Sequence, residues 1–444
     1  MRRLVTLAVM VVAMRLGAAP PRRPSLPPQI TLPRVIATDN SASCDITVSP
    51  AATLLLPYFE VDVSKPVNDA ANTIFTVVNT SRLPQIVRVT IWTDYAYPAL
   101  WFNVYLTGYD VQAISLYDVI ARGALPTTAT TIAPGNRSAA AGANPKLVSL
   151  DACGNLGGSI ADASLTALRT MLTTGASPSS NDCAVGSAHA NATGYITIDL
   201  VNSCSTISPL DSSYFSQVLL YDNVLTGDYE HVYPDRGMGN YAGGSPLVHI
   251  KAIPDGGNVS TATPLPYTFY DRFTPRGGRK VDRRQPLPSS FASRFIQGGT
   301  AGFFSDIMFW REGAAASNSS CAASANAAIP ATSVIRYDDA ENPNVSALPL
   351  KMPSVMSLDT KSSALPPING PSLTGWIYLN LDNQLGYVTQ SNPYSTTRPS
   401  QNWVVVRMKA EGRYGVDYDA TAMSNGCAVS AAVLATPTKP KVEK

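Results

Sequence analysis

The densest run of reactive side chains in this 444-residue chain is Asp222 to Arg236, which reads DNVLTGDYEHVYPDR. Asp228, Glu230, His231 and Asp235 are residue types that ligate metals, and carboxylates drawn from Asp222, Asp228, Glu230 and Asp235 could divide acid and base work on a glycosidic bond. The surrounding pattern is strand-like, and a strand divides the set: Asp228 and Glu230 project from one face, His231 from the other. The plainer expectation is a polar hairpin with Tyr229 and Tyr233 packed beneath it. Beyond His231 the chain has only His189 and His249. His249 lies in the apolar run Pro246-Leu247-Val248-His249-Ile250, where a hydrogen-bonded core or edge histidine is expected. No HExxH, GxSxG or GxxxxGK[ST] pattern occurs, which argues against the common hydrolase and nucleotide-binding designs.

Other clusters suit other chemistry. Asp338, Asp339 and Glu341, within Tyr337 to Asn342, and Asp417-Tyr418-Asp419 are acidic segments of the kind that supply oxygens to calcium. Neither follows the EF-hand spacing, so both are expected to be surface turns, with a calcium-stabilised module as the alternative. Arg276, Arg279, Lys280, Arg283 and Arg284 form a basic segment suited to an anionic polymer or head group, diluted by Asp271 and Asp282. Tyr95, Tyr97, Trp101 and Tyr105 crowd one stretch, as rings do in sugar-binding sandwiches and, more commonly, in strand packing.

These groups must be positioned by a fold outside the cytoplasm. Arg2 and Arg3 precede an apolar run of eleven residues, Leu4 to Met14, and Gly17-Ala18-Ala19 offers a peptidase site, so residues 1–19 read as a signal peptide. That apolar run is shorter than the roughly 20 residues needed to span a bilayer. The formal charge is +2, and the leader holds three arginines, so a chain cut after Ala19 carries −1 and has no global attraction for nucleic acid. Charged residues make up 14%, against roughly 25% in typical globular chains. Cys44, Cys153, Cys183, Cys204, Cys321 and Cys427 form an even set with no CxxC, which in an exported chain reads as disulfides. Six thiols allow 15 pairings; the expected one joins Cys153 to Cys183, Cys204 to Cys321 and Cys44 to Cys427.

Residues 20–43 are a proline-rich spacer. Residues 44–122 carry five closely spaced strand patterns, among them Val87, Val89 and Ile91 alternating with Arg88 and Thr90, and Phe102, Val104 and Leu106 alternating with Asn103 and Tyr105. Such stripes bury one face and wet the other, and predict an antiparallel β-sandwich of immunoglobulin-like type. Residues 123–192 read as an Ala/Ser/Thr-rich insertion tied by Cys153 and Cys183, with a helix over 163–174 started by Asp162 or Ser164 and stopped by Gly175. Residues 193–435 read as a second β region or a continuation of the first sheets, and 436–444 as a polar tail. The fold class is therefore mostly β.

Several stretches belong together as a set: Leu56-Pro57-Tyr58-Phe59-Glu60-Val61-Asp62, Trp92-Thr93-Asp94, Tyr105 to Gln112 (YLTGYDVQ), Asp222 to Tyr229 (DNVLTGDY), Leu247-Val248-His249-Ile250 and Asp282 to Pro288 (DRRQPLP). The chain from about residue 50 onward resembles an uncharacterised family of exported bacterial β-rich proteins with no assigned activity. The resemblance implies export and an envelope setting, and transfers no site. The expected role is a secreted or cell-surface protein without enzymatic activity, structural in the envelope or binding a protein or glycan partner. The rival is a secreted glycan hydrolase using a carboxylate pair.

Overall fold

The structure, a computed structural model, describes residues 48–126, 158–177, 184–209, 211, 213–235, 239–252, 269, 282, 284–299, 302–312, 333–346, 355–360, 374–381, 401–410 and 414–423, with the short strand pairs 137–138/147–148 and 329–330/351–352. The chain is mostly β, and the strands pair antiparallel throughout.

The strands are β1 (Thr53–Val61), β2 (Asn72–Asn79), β3 (Gln85–Thr93), β4 (Pro98–Leu106) and β5 (Val111–Ser115), then helix α1 (Asp162–Thr174) and β6 (Ala192–Val201). There follow β7 (Leu225–Asp235), β8 (Gly239–Pro246), β9 (Val248–Ile250), β10 (Ser290–Ile296) and β11 (Phe303–Arg311). The last are β12 (Ser333–Asp338), β13 (Pro343–Ser346), β14 (Val355–Asp359), β15 (Thr374–Asn380), β16 (Asn402–Ala410), β17 (Tyr414–Asp419) and β18 (Thr421–Ala422). Sheet 1 runs β9-β1-β6-β3-β4 and sheet 2 runs β8-β7-β2-β5. Sheet 3 runs β13-β12-β15-β10-β18 and sheet 4 runs β14-β11-β16-β17. Sheet 1 packs on sheet 2 through β1 against β2 and β7, and sheet 3 on sheet 4 through β10 against β11 and β16. The β-sandwich expectation holds. The first sandwich draws β1–β5 from before residue 122 and β6–β9 from after 192, because β6 inserts between β1 and β3 and β7 lies beside β2.

The expected wet face of β3 is absent: all nine of its residues are buried. Val87, Val89 and Ile91 face one way as alternation predicts, but Arg88, Thr90 and Trp92 are covered too. Arg88 Nη1 donates to Ile207 O at 2.6 Å, and Trp92 stacks on Tyr195, which meets Trp310 of β11 edge-on. The second face of sheet 1 is therefore covered as well, by the 203–218 segment and by Trp310 of sheet 4. Each apolar side chain withdrawn from water in this way contributes about 1.5–3 kcal/mol, and one continuous core runs through all four sheets.

The helix forms where expected, with Leu165, Leu168, Met171 and Leu172 buried. Its N-cap is Ala161 without a side-chain bond, and Asp162 sits in the first turn, where a carboxylate meets the positive end of the helix dipole. Gly175 ends it at φ 70°, where a Cβ would fall 2.0 Å from Gly186 O. Among the described residues no helix is long and apolar enough to cross a membrane. The leader, spacer, tail, and Cys44, Cys153, Cys183, Cys321 and Cys427 lie outside the described residues. Cys204 is partly buried against the core, and among the described residues no cysteine is free.

Candidate functional site

Strand β7 distributes the sequence-predicted residues as its pleat requires. Asp228 and Glu230 are exposed on the outer face of sheet 2, while Tyr229 and His231 are buried on the inner face. Asp235 ends the strand opposite Gly239. Asp222 is buried in the segment before β7. The structure thus brings Asp228 and Glu230 side by side and sets His231 apart from them.

His231 lies at the centre of a polar cluster between the sandwiches. Its Nδ1 is 2.7 Å from Asp417 Oδ2 and its Nε2 is 3.0 Å from Tyr58 O, and both side chains of the His231–Asp417 pair are 0% exposed. Both ring nitrogens thus face oxygen atoms, one of a carboxylate and one of a backbone carbonyl. Tyr58 and Tyr229 meet the ring edge-on at 5.6 and 5.2 Å.

Next to it, Glu60 accepts from Asn191 Nδ2 at 2.6 Å, Tyr233 Oη at 2.9 Å and Tyr58 Oη at 3.3 Å. Burial, and then Glu60, push both tyrosines well above the usual phenol range, so they stay protonated as donors. Arg407 lies 4.3 Å from the Tyr233 ring and grips Asp306 Oδ2 with Nε at 3.0 Å and Nη2 at 2.7 Å, while Lys409 Nζ adds 3.1 Å. Burial works against the Arg407 charge, but Tyr233, Asp306, Tyr58 and Asp417 around it hold its pKa above the ordinary value.

Asp417 and Asp419 correct the expectation of a surface turn. They lie on β17, opposite Arg407 and Val405 of β16, where Asp417 is buried and Asp419 half-buried, and β17 packs against β8. Burial raises Asp419 to about 6 although Trp403 Nε1 donates to it at 2.9 Å.

A second network ties β1 to the segment before β10. Arg284 Nη1 reaches Asp199 Oδ1 at 2.7 Å and Thr53 Oγ1 at 2.9 Å, and its Nε reaches Asp282 at 2.8 Å. Tyr214 closes the other oxygen of Asp199 at 2.9 Å. Arg284 therefore faces inward; Arg276, Arg279, Lys280 and Arg283 lie outside the described residues. His249 is buried as expected, with Nδ1 2.9 Å from Ser49 O and Nε2 3.4 Å from the Gly227 amide nitrogen, and burial lowers its pKa. A Cβ at Gly227 would fall 2.1 Å from Thr76 O, so the glycine of DNVLTGDY permits close strand approach.

The acidic turn after β12 is self-contained. Asp338 accepts from the amides of Ala340 and Asn342 at 2.9 and 2.8 Å and from Asn342 Nδ2, and Asp339 accepts from Thr374 Oγ1. Glu341 adopts φ 61°. Among the described residues no three His, Cys, Asp or Glu side chains form a metal-holding group. Of the predicted rings, Tyr105 is buried, Tyr95 and Tyr97 are half-buried and Trp101 is 38% exposed. An aromatic pair that the sequence did not single out, Tyr337 and Trp376, stacks across β12 and β15 at 3.8 Å.

Glu60, Asp306 and Arg407 were not legible as site residues, since each stands in an apolar strand far from the others in sequence. The one available signal was the resemblance motifs: Tyr58 and Glu60 of the first meet His231 and Tyr233 just beyond the fourth. No family model, no curated protein and no solved structure matches the chain.

Proposed function

We propose that this chain is an exported β protein of the bacterial envelope that acts without catalysis, either as a structural element or by binding a protein or glycan partner. One observation carries the reading: His231 is held on both ring nitrogens at 0% exposure, behind the strand whose opposite face presents Asp228 and Glu230. A hydrolase needs its acid and base to reach one substrate. Here the histidine and Asp417 are committed to joining sheets 2 and 4, Glu60 is held by Asn191, Tyr233 and Tyr58, and Arg407 is paired with Asp306.

Export rests on the cationic and apolar leader, and an oxidised state on the six cysteines. Pairing of Cys204 with Cys321, Cys44 with Cys427 and Cys153 with Cys183 is part of the proposal, and peptide mapping under non-reducing conditions tests it. The functional test is a binding screen of the purified, oxidised chain against glycans and envelope fractions, run beside turnover assays on chromogenic glycosides. Saturable binding without product supports the reading. Multiple turnover lost in Asp228→Asn or Glu230→Gln would overturn it.

A further inference from the structure

One row of side chains on the outer face of sheet 3 ends in polar groups that the fold leaves unused. In register, Tyr337 of β12 lies opposite Trp376 of β15, and Trp376 lies opposite Arg294 of β10, so the three stand side by side across adjacent strands. Their chain neighbours Ile377 and Phe295 are in the core, and the pleat therefore turns the row toward water. Arg294 is exposed, and Tyr337 and Trp376 are half-buried. Among the described residues no hydrogen bond was found for Tyr337 Oη or Trp376 Nε1, and no hydrogen bond or ion pair for the Arg294 guanidinium. None of these atoms is sealed from water.

Tyr337 and Trp376 stack at 3.8 Å with their planes 7° apart. One indole face is thus taken by Tyr337, and the other is turned toward β10 and Arg294. A ring face with a free N–H at its rim and an unpaired guanidinium beside it suits a sugar ring that carries an acid group. The C–H face of the sugar packs on the indole, its hydroxyl oxygens accept from Nε1, and the oxyanion takes the planar fork of the arginine. The acidic turn with Asp338 and Asp339 lies beyond Tyr337, away from Arg294, and so sets the direction, with the acid group at the Arg294 end. Burial, and then Tyr378, raise the pKa of Tyr337, which keeps its hydroxyl neutral next to an anionic ligand.

We infer that this row binds an acidic saccharide, with one sugar ring stacked on Trp376 and its carboxylate or sulfate held by Arg294. Tyr337 braces the indole from behind and offers its hydroxyl to the next sugar along the row. The inference rests on the glycan-binding alternative of the role proposed above, and supplies its site and ligand class.

Titration calorimetry on the full oxidised chain tests it with three probes: trigalacturonate, a sulfated heparin tetrasaccharide and neutral maltotriose. Saturable binding of an acidic probe is expected, with maltotriose at least about tenfold weaker, and the acid that binds tells carboxylate from sulfate. Arg294→Ala should weaken the acidic probe about tenfold or more and leave maltotriose unchanged. Trp376→Ala should weaken every probe that binds, and Trp376→Phe should restore part of the affinity, because a ring face returns. Arg294 is exposed and its replacement leaves the core intact, so that variant carries the test if Trp376→Ala does not fold. Absence of saturable binding by both acids would overturn the assignment. Acid binding that Arg294→Ala and Trp376→Ala both retain would also overturn it, and would leave the glycan-binding role standing at another place on the chain.

Discussion

His231 Nδ1 and Asp417 Oδ2 lie 2.7 Å apart, fully withdrawn from water, although 186 residues separate them in the chain. The contact joins β7 of sheet 2 to β17 of sheet 4 and makes a buried histidine–carboxylate pair a seam between the two sandwiches. A charge pair in such a place contributes little net stability when complete, because desolvation offsets the attraction. Breaking it strands one charge in the interior.

Replacing Asp417 by Asn keeps the shape and takes the carboxylate away from His231 Nδ1. Loss of one partner of a buried pair costs about 3–5 kcal/mol, so Asp417→Asn and His231→Ala should each shift the urea midpoint strongly. The two losses should not add in the double variant, since they remove one interaction. Additivity within about 0.5 kcal/mol would show that the pair is not coupled.

Asp419 makes the opposite prediction. Its pKa in the folded chain is raised to about 6 by burial, so the folded state binds a proton more tightly than the unfolded one does. Its favourable contribution is complete below the unfolded value near 4 and is lost as pH rises through about 6. A shift of that size corresponds to about 3 kcal/mol at pH 8. Asp419→Asn retains an oxygen for Trp403 Nε1 and should stabilise the chain by up to that amount at pH 8. The gain should vanish near pH 4. An equal effect at both pH values would rule out ionisation as the cause.

The strands and the helix were legible because alternation and the Leu165–Leu168–Met171–Leu172 stripe are local signals. The division of Asp228 and Glu230 from His231 followed from strand geometry alone. The burial of Arg88, Asp199, Asp306 and Asp417 did not, since it depends on which sheet lands on which face. Asp417-Tyr418-Asp419 resembles a turn in isolation and is a strand in the fold, paired with β16 and packed against β8, with Asp417 buried. Alternation tells the side on which a residue projects, but not whether that side is wet.

Asp228 and Glu230 stand exposed on β7, and no hydrogen bond or ion pair involving either was found among the described residues. Surface substitutions of this kind usually change stability by no more than about 0.5 kcal/mol. Asp228→Ala and Glu230→Ala should therefore leave the unfolding midpoint nearly unchanged, in contrast with Tyr229 and His231 on the inner face. A large loss in either exposed variant would mean that a segment outside the described residues rests on this face.

The turn after β12 separates local capping from cation binding. Asp338 already accepts three N–H donors from Ala340 and Asn342, and the Asn342 bonds, first among its influences, hold its pKa below the ordinary carboxylate value. Such donors point their hydrogens at the oxygens a calcium ion would need. A depressed carboxylate stabilises above its unfolded pKa and loses that contribution as pH falls through the folded value. Asp338→Ala should thus lower the Tm by about 1–2 °C at neutral pH, and the difference should close in strong acid. Chelator should leave both proteins unmoved, because the turn is held by its own amides. A chelator-dependent drop in the wild-type Tm that Asp338→Ala abolishes would replace this capping turn with a cation site.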